Sequence, residues 1–286
     1  MNQPGSGDAQ PMIAAIVWNV NPEIFRIGNF APRWYGVLFA LSFYVGYLIL
    51  TGAFNKEGVP IKVLDSLILY IGVAVLIGAR LGHCLLYEPG YYLQHPLEML
   101  KIWQGGLASH GAAIGILIAI YIFSKRYKKP YLWALDRVVI VTALAGFFIR
   151  MGNLLNSEIC GVETTLPWGF IFAQNQETVP RHPTQIYEAL AYLAIFILLY
   201  GIYRKKGTTL RDGFYSGVFL ALIFSTRFLI EFIKNTQVDF EKGMFLNMGQ
   251  LLSVPFIITG MVLWYFSLGK RPQPEPVKKK PRKGRS

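Results

Sequence analysis

Arg227 and Glu231 interrupt the apolar run FSTRFLIEFIK at a spacing of i, i+4. On a helix both project from one face and can neutralise each other in a low dielectric. A guanidinium partly held in this way is a planar, permanently charged fork suited to a phosphate; a buried structural ion pair would satisfy the same spacing. Arg80 and Arg150 also lie at or inside apolar runs. Three guanidiniums that share one anion fit a phospholipid better than a neutral substrate. His110 stands in GGLASHGAAIG. Its imidazole titrates near working pH and suits a general base, and a thiol is a natural target because the thiolate is the nucleophile. The alternative is a packing histidine whose small neighbours allow close helix approach.

Two polar runs flank one connection. IRMGNLLNSEICG carries Arg150, Asn153, Asn156, Glu158 and Gly161, and PRHPTQIYE carries Arg181, His182, Gln185, Tyr187 and Glu188. An exposed turn would tolerate such residues, but the first run directly follows a membrane arginine and the second closes the same segment. His83 reads as a helper donor or a core residue, and His95 as incidental. Cys84 and Cys160 are the only cysteines; they form no disulfide framework and read as structural thiols. No His, Asp or Glu cluster has metal-ligand spacing. An intramembrane protease would need a Ser/His or Asp pair at depth, whereas Ser109 merely adjoins His110 and the sequence offers no second membrane Asp on the outer side.

These residues must be positioned by membrane helices. The chain is 53% hydrophobic and 15% charged, too oily for an ordinary soluble domain. Seven segments reach the roughly 20 apolar residues that cross hydrocarbon: 35–54, 66–87, 104–124, 131–149, 184–203, 213–234 and 248–268. The fold expected is therefore an all-α polytopic membrane protein. The net charge of +12 would suggest nucleic acid in a soluble protein, but here it sorts to one side. SKRYKKP, YRKKGTTLRDG and a tail with eight basic residues against Glu275 share that side, which places the C-terminus in the cytoplasm and the N-terminus outside. Residues 1–269 form one transmembrane catalytic domain with an extracytoplasmic loop at about 150–183, and 270–286 a disordered basic tail. The stretch MIAAIVWNV is too short for a span and lacks the flanks of a signal peptide.

With this orientation, Arg80, His83, His110, Arg150, Glu188, Arg227 and Glu231 all lie toward the outer leaflet. A transport path needs polar residues toward both faces, so a lipid or small-anion transporter is the second reading. Asp136 and Arg137 are the exception, and as sequence neighbours they read as an interfacial anchor on the cytoplasmic side.

At these motifs the sequence resembles the bacterial prolipoprotein diacylglyceryl transferases. The family pattern G-R-x-G-N-x-x-N-x-E-x-x-G is met by IRMGNLLNSEICG except at Ile149. RWYG from Arg33, GARLGHCLLYEP from Gly78, WQGGLASHG ending at Gly111, RHPTQIYE from Arg181, RFLIEF from Arg227 and MGQLLSVP from Met248 resemble family blocks in the same order. Ile223, Lys234 and His83 replace a tyrosine, a basic residue that is commonly arginine, and a tyrosine.

The resemblance implies transfer of the diacylglyceryl group of phosphatidylglycerol to the lipobox cysteine of a prolipoprotein signal peptide, with release of glycerol phosphate, in the bacterial cytoplasmic membrane. It implies a phosphatidylglycerol site of Arg150, Asn153, Asn156, Glu158, Gly161, Arg80 and His182. The reacting set would be His110 as base for the thiol, Arg227 assisting at the phosphate, and Tyr35 and Glu231 orienting these groups. The partners expected are phosphatidylglycerol, the signal peptide and membrane lipids, with no nucleic acid, no metal and no cofactor beyond the lipid co-substrate.

Overall fold

Hydrocarbon offers no partner to a backbone N–H or C=O, so each long apolar run satisfies these groups internally as a helix. The computed structural model describes residues 15–28, 30–102, 105–235 and 245–269; the expected disordered tail, Trp103 and Gln104 lie outside them. Among the described residues the long helices are α1 (Trp34–Lys56), α2 (Ile61–Leu86), α4 (Ser109–Tyr127), α5 (Tyr131–Leu155), α6 (Thr184–Lys206), α7 (Phe214–Ile230) and α8 (Met248–Phe266), with the short α3 (Pro89–Gln94) between α2 and α4. Pro60, Pro130 and Pro183 immediately precede α2, α5 and α6, where a residue without an N–H interrupts no helical ladder.

Seven segments were expected to span, and all seven are helical. Six are long and apolar enough to cross a membrane. The other, α4, has 19 residues and ends in Ser124, Lys125, Arg126 and Tyr127. It packs closely on α2 through glycines: a Cβ on Gly111 would lie 2.1 Å from the Gly78 carbonyl oxygen. α5 is central, packed against α1, α4, α6 and α7, while α8 packs along α7.

Three boundaries differ from expectation. α4 starts at Ser109 rather than 104, because Gly105 and Gly106 take φ of 89° and 70°, a conformation that breaks a helix. α5 continues to Leu155 rather than 149, so Arg150 and Asn153 are helical. α7 ends at Ile230, and Glu231–Ile233 form a tighter turn.

The bundle has two unlike ends. At the basic end, Asp136 and Arg137 are only 2% and 3% exposed, which corrects their reading as an interfacial anchor. Arg137 Nη2 lies 2.8 Å from Glu57 Oε2, and Glu57 also accepts from Trp133 Nε1 at 3.0 Å and the Tyr203 hydroxyl at 2.5 Å. Asp136 accepts from the backbone N–H groups of Gly213 and Ser216, each at 2.8 Å, and from Ser216 Oγ at 2.6 Å. A carboxylate from α5 thus caps the start of α7, where orphan N–H donors need an acceptor.

At the opposite, head end, the segment from 156 to 183 folds over the helices. Strand β1 (Ile16–Trp18) pairs in parallel with β2 (Phe170–Phe172), and Trp18 Nε1 donates to the Leu154 carbonyl at 3.0 Å. The described part of the N-terminal apolar stretch is therefore strand, not span.

Candidate active site

Arg150 and Asn153 sit on the last two turns of α5 at i, i+3, so their side chains share a face. Arg150 Nη1 donates to Asn153 Oδ1 at 3.3 Å, Asn153 Nδ2 to Glu158 Oε2 at 3.4 Å, and Asn156 Nδ2 to Glu158 Oε1 at 3.2 Å. This chain of amides carries the orientation of Glu158 back to the arginine. Gly152 lets Tyr35 of α1 join the group, since a Cβ there would meet the Tyr35 ring at 2.7 Å.

The turn presenting Glu158 is strained. Ser157 and Ile159 have φ of 55° and 60°, a region that a β-branched side chain rarely occupies. Two side chains from the start of α6 hold it: Thr184 Oγ1 donates to the Ile159 carbonyl at 2.9 Å and Gln185 Nε2 to the Glu158 carbonyl at 2.5 Å. The run PRHPTQIYE is thus a clamp on the IRMGNLLNSEICG turn. Cys160, beside Gln185, is outside the helices; burial pushes its thiol above the ordinary cysteine range, which marks it as structural rather than nucleophilic.

Glu188 lies at the centre and is completely buried. Its Oε2 is 2.9 Å from Arg150 Nε and its Oε1 is 3.0 Å from Lys234 Nζ, while the Tyr192 hydroxyl donates to Oε1 at 3.4 Å. Lys234 arrives because the chain after α7 pairs with the head: Val162 N–H donates to the Ile233 carbonyl at 2.9 Å, and Gly161 bridges Lys234. Only glycine fits at 161, where a Cβ would lie 2.5 Å from the Ile233 carbonyl oxygen and 2.6 Å from His182 Cβ. Glu188 and Lys234 were absent from the expected site. Glu188 carried a signal, as an acid entering an apolar run, but its pairing with a residue 46 positions away carried none.

The expected pairing of Arg227 with Glu231 does not form. Glu231 Oε2 lies 3.5 Å from Lys234 Nζ, and Arg227, half-buried, makes no hydrogen bond or ion pair among the described residues. It remains within electrostatic reach of Tyr192, as Arg150 does. Arg80 does not share an anion with the other two. It is 3% exposed, and its guanidinium donates to the carbonyls of Glu98, Met99 and Gly105 at 2.7, 2.9 and 2.6 Å under Tyr92; it latches the segment after α3. His182 faces the Tyr187 hydroxyl at 3.3 Å, and its backbone bonds Gly161 and Val162, so it builds the head rather than meeting Arg150. His110 is exposed at the second position of α4, with no hydrogen bond or ion pair to the Arg150 group.

The structure therefore brings Arg150, Asn153, Asn156, Glu158, Gly161, Tyr35 and Glu231 to one end of the bundle, together with Glu188, Lys234 and Tyr192. Three cations, Arg150, Arg227 and Lys234, share that end with two carboxylates, the buried Glu188 and the partly buried Glu231. The uncommitted cation suits a buried anion.

Residues 22–266 match the family model described as prolipoprotein diacylglyceryl transferase. Three similar relatives carry the name phosphatidylglycerol–prolipoprotein diacylglyceryl transferase. The protein of Tolumonas auensis is 47% identical over 88% of this chain and 97% of its own length. That of Chloroherpeton thalassium is 44% identical over 88% and 94%, and that of Porphyromonas gingivalis 45% over 87% and 94%. With the match running from residue 22, ahead of α1, to the end of α8, the chain belongs to the prolipoprotein diacylglyceryl transferase family.

Proposed function

We propose that this protein transfers the diacylglyceryl group of phosphatidylglycerol to the cysteine thiol of a prolipoprotein, the first step of lipoprotein maturation. The observation that carries the reading is the half-buried Arg227, unpaired among the described residues, at the bundle end where Arg150 is anchored by buried Glu188. A phosphate there would receive donors from two guanidiniums, the geometry that Arg serves best.

The sulfur attacks the glyceryl carbon bonded to the phosphate oxygen. The S–C bond forms as the C–O bond breaks, and the electron pair leaves on glycerol phosphate. Arg150 and Arg227 stabilise the charge gathering on that oxygen, the electrostatic contribution that is usually largest. The thiol proton passes to a base, for which we assign His110: its imidazole is exposed and unpaired among the described residues, and a neutral imidazole can accept a proton. The Asn153, Asn156 and Glu158 chain orients Arg150, and Tyr35 lines the same end. No metal or cofactor enters these steps. The head end faces outward in the cytoplasmic membrane, because the basic loops gather at the other end, and the lipobox cysteine of the signal peptide arrives there. A transporter would continue the polar path, whereas at the basic end Glu57 and Asp136 are taken up by Arg137, Trp133 and Tyr203 and by the start of α7, and the cavity beside Arg137 holds only about 10 Å³.

The test is mass spectrometry of a lipobox peptide incubated with the purified protein and phosphatidylglycerol, beside Arg150→Ala and His110→Gln. The expected result is a gain of one diacylglyceryl group on the cysteine, lost in Arg150→Ala. No gain with folded protein would sink the reaction and reopen the transporter reading; full turnover by His110→Gln would remove the base assignment alone.

A further inference from the structure

Arg227 and Glu231 have the spacing at which an arginine and a glutamate ordinarily close on each other, yet they do not. The cause is local. α7 stops at Ile230, the next three residues turn, and Lys234 has an extended backbone (φ −87°, ψ 149°). Its ammonium thereby returns to within 3.5 Å of Glu231 Oε2. The far side of the carboxylate is closed by α8: a Cβ on Gly249 would lie 2.6 Å from Glu231 Cδ. Glu231 Oε2 is buried and has no hydrogen bond, so an ion contact with Lys234 is its compensation, and such an oxygen takes any donor that comes within reach. The same ammonium meets Glu188 at 3.0 Å, which a compact group with three rotatable donors can do.

Resting on the reaction proposed above, we propose that Lys234 is a positioning residue that holds Glu231 away from Arg227 and so keeps the Arg227 guanidinium free for the lipid phosphate. Without Lys234, Glu231 turns to Arg227, and the two form the i, i+4 pair that the sequence spacing permits. The anion site then loses one of its two arginines although neither has been changed.

The test reads binding of a dye-labelled short-chain phosphatidylglycerol to the purified protein, together with KM and kcat for transfer. Lys234→Met weakens binding about tenfold, the effect of one charge-assisted contact, chiefly through KM, and Lys234→Arg restores it. Lys234→Met combined with Glu231→Gln recovers lipid affinity, because the released carboxylate no longer competes; Lys234→Met combined with Glu188→Gln does not. Equal recovery in both double variants would reduce the effect to net charge and overturn the proposal, as would unchanged affinity in Lys234→Met. Gly249→Ala, which keeps a good helix residue and pushes Glu231 from its seat, covers the case in which Lys234→Met does not fold; unchanged affinity there also overturns the proposal. Wild-type protein that binds the lipid without transferring it would sink the reaction, while the binding comparison still decides the role of Lys234.

Discussion

Both ends of this bundle bury charge, and they do so differently. At the basic end Glu57 accepts from Arg137, Trp133 and Tyr203, and both Asp136 oxygens are occupied by the start of α7. At the head end Arg227 has no ion pair among the described residues, and Glu231 Oε2 and Asn156 Oδ1 are buried without a hydrogen bond. A closed network rigidifies; an open one, kept at a cost in stability, is a place for a ligand. The difference separates structural from functional charge better than burial does, since Glu188 and Asp136 are both almost inaccessible.

Substitutions can break or sharpen that contrast. The largest effect is expected at the open end: Arg150→Ala should lower the initial rate of diacylglyceryl transfer roughly 10³-fold, the scale for a donor that stabilises transition-state charge, measured with phosphatidylglycerol and a lipobox peptide. The closed end should show the converse. Glu57→Ala leaves Arg137 buried and unpaired, so unfolding stability in detergent should fall by about 3–5 kcal/mol while the folded fraction keeps its rate; a lost rate at full stability would erase the distinction.

Arg80 sharpens it further, being a head-end residue that bonds like a basic-end one. Arg80→Gln should cost about 1.5–3 kcal/mol of stability, as befits charged hydrogen bonds, and leave KM for the lipid unchanged; a raised KM would return it to the anion site. The smallest effect is at Cys160. Its raised pKa leaves less thiolate at pH 7 than a free cysteine has, so maleimide labelling should be slow at neutrality and accelerate as the pH rises; rapid labelling at pH 7 would show an exposed, reactive thiol.

Much of this was legible in the sequence where interactions are local. The grouping of Arg150, Asn153, Asn156 and Glu158 in one polar run and the sorting of basic loops needed only periodicity and composition. Helix ends were less legible, because α5 outlasts its apolar run once its polar residues find partners at the head. Asp136 and Arg137 misled for a related reason: neighbouring residues on one helix cannot face each other, but each found a partner elsewhere, Ser216 on α7 and Glu57 just past α1.

The sequence by itself determined that this chain makes apolar helices with one basic side and a set of arginines, amides and acids toward the other. That follows from backbone hydrogen bonding in hydrocarbon and from the cost of moving charge across it. Only the tertiary structure decided which carboxylate each cation takes. Glu231 had two cations within one helical turn by sequence, Arg227 and Lys234, and the return of the chain past Gly161 gave it to Lys234. Ion-pair choice in a low dielectric depends on which donor the folded backbone delivers to the buried oxygen, and spacing along one helix does not contain that information.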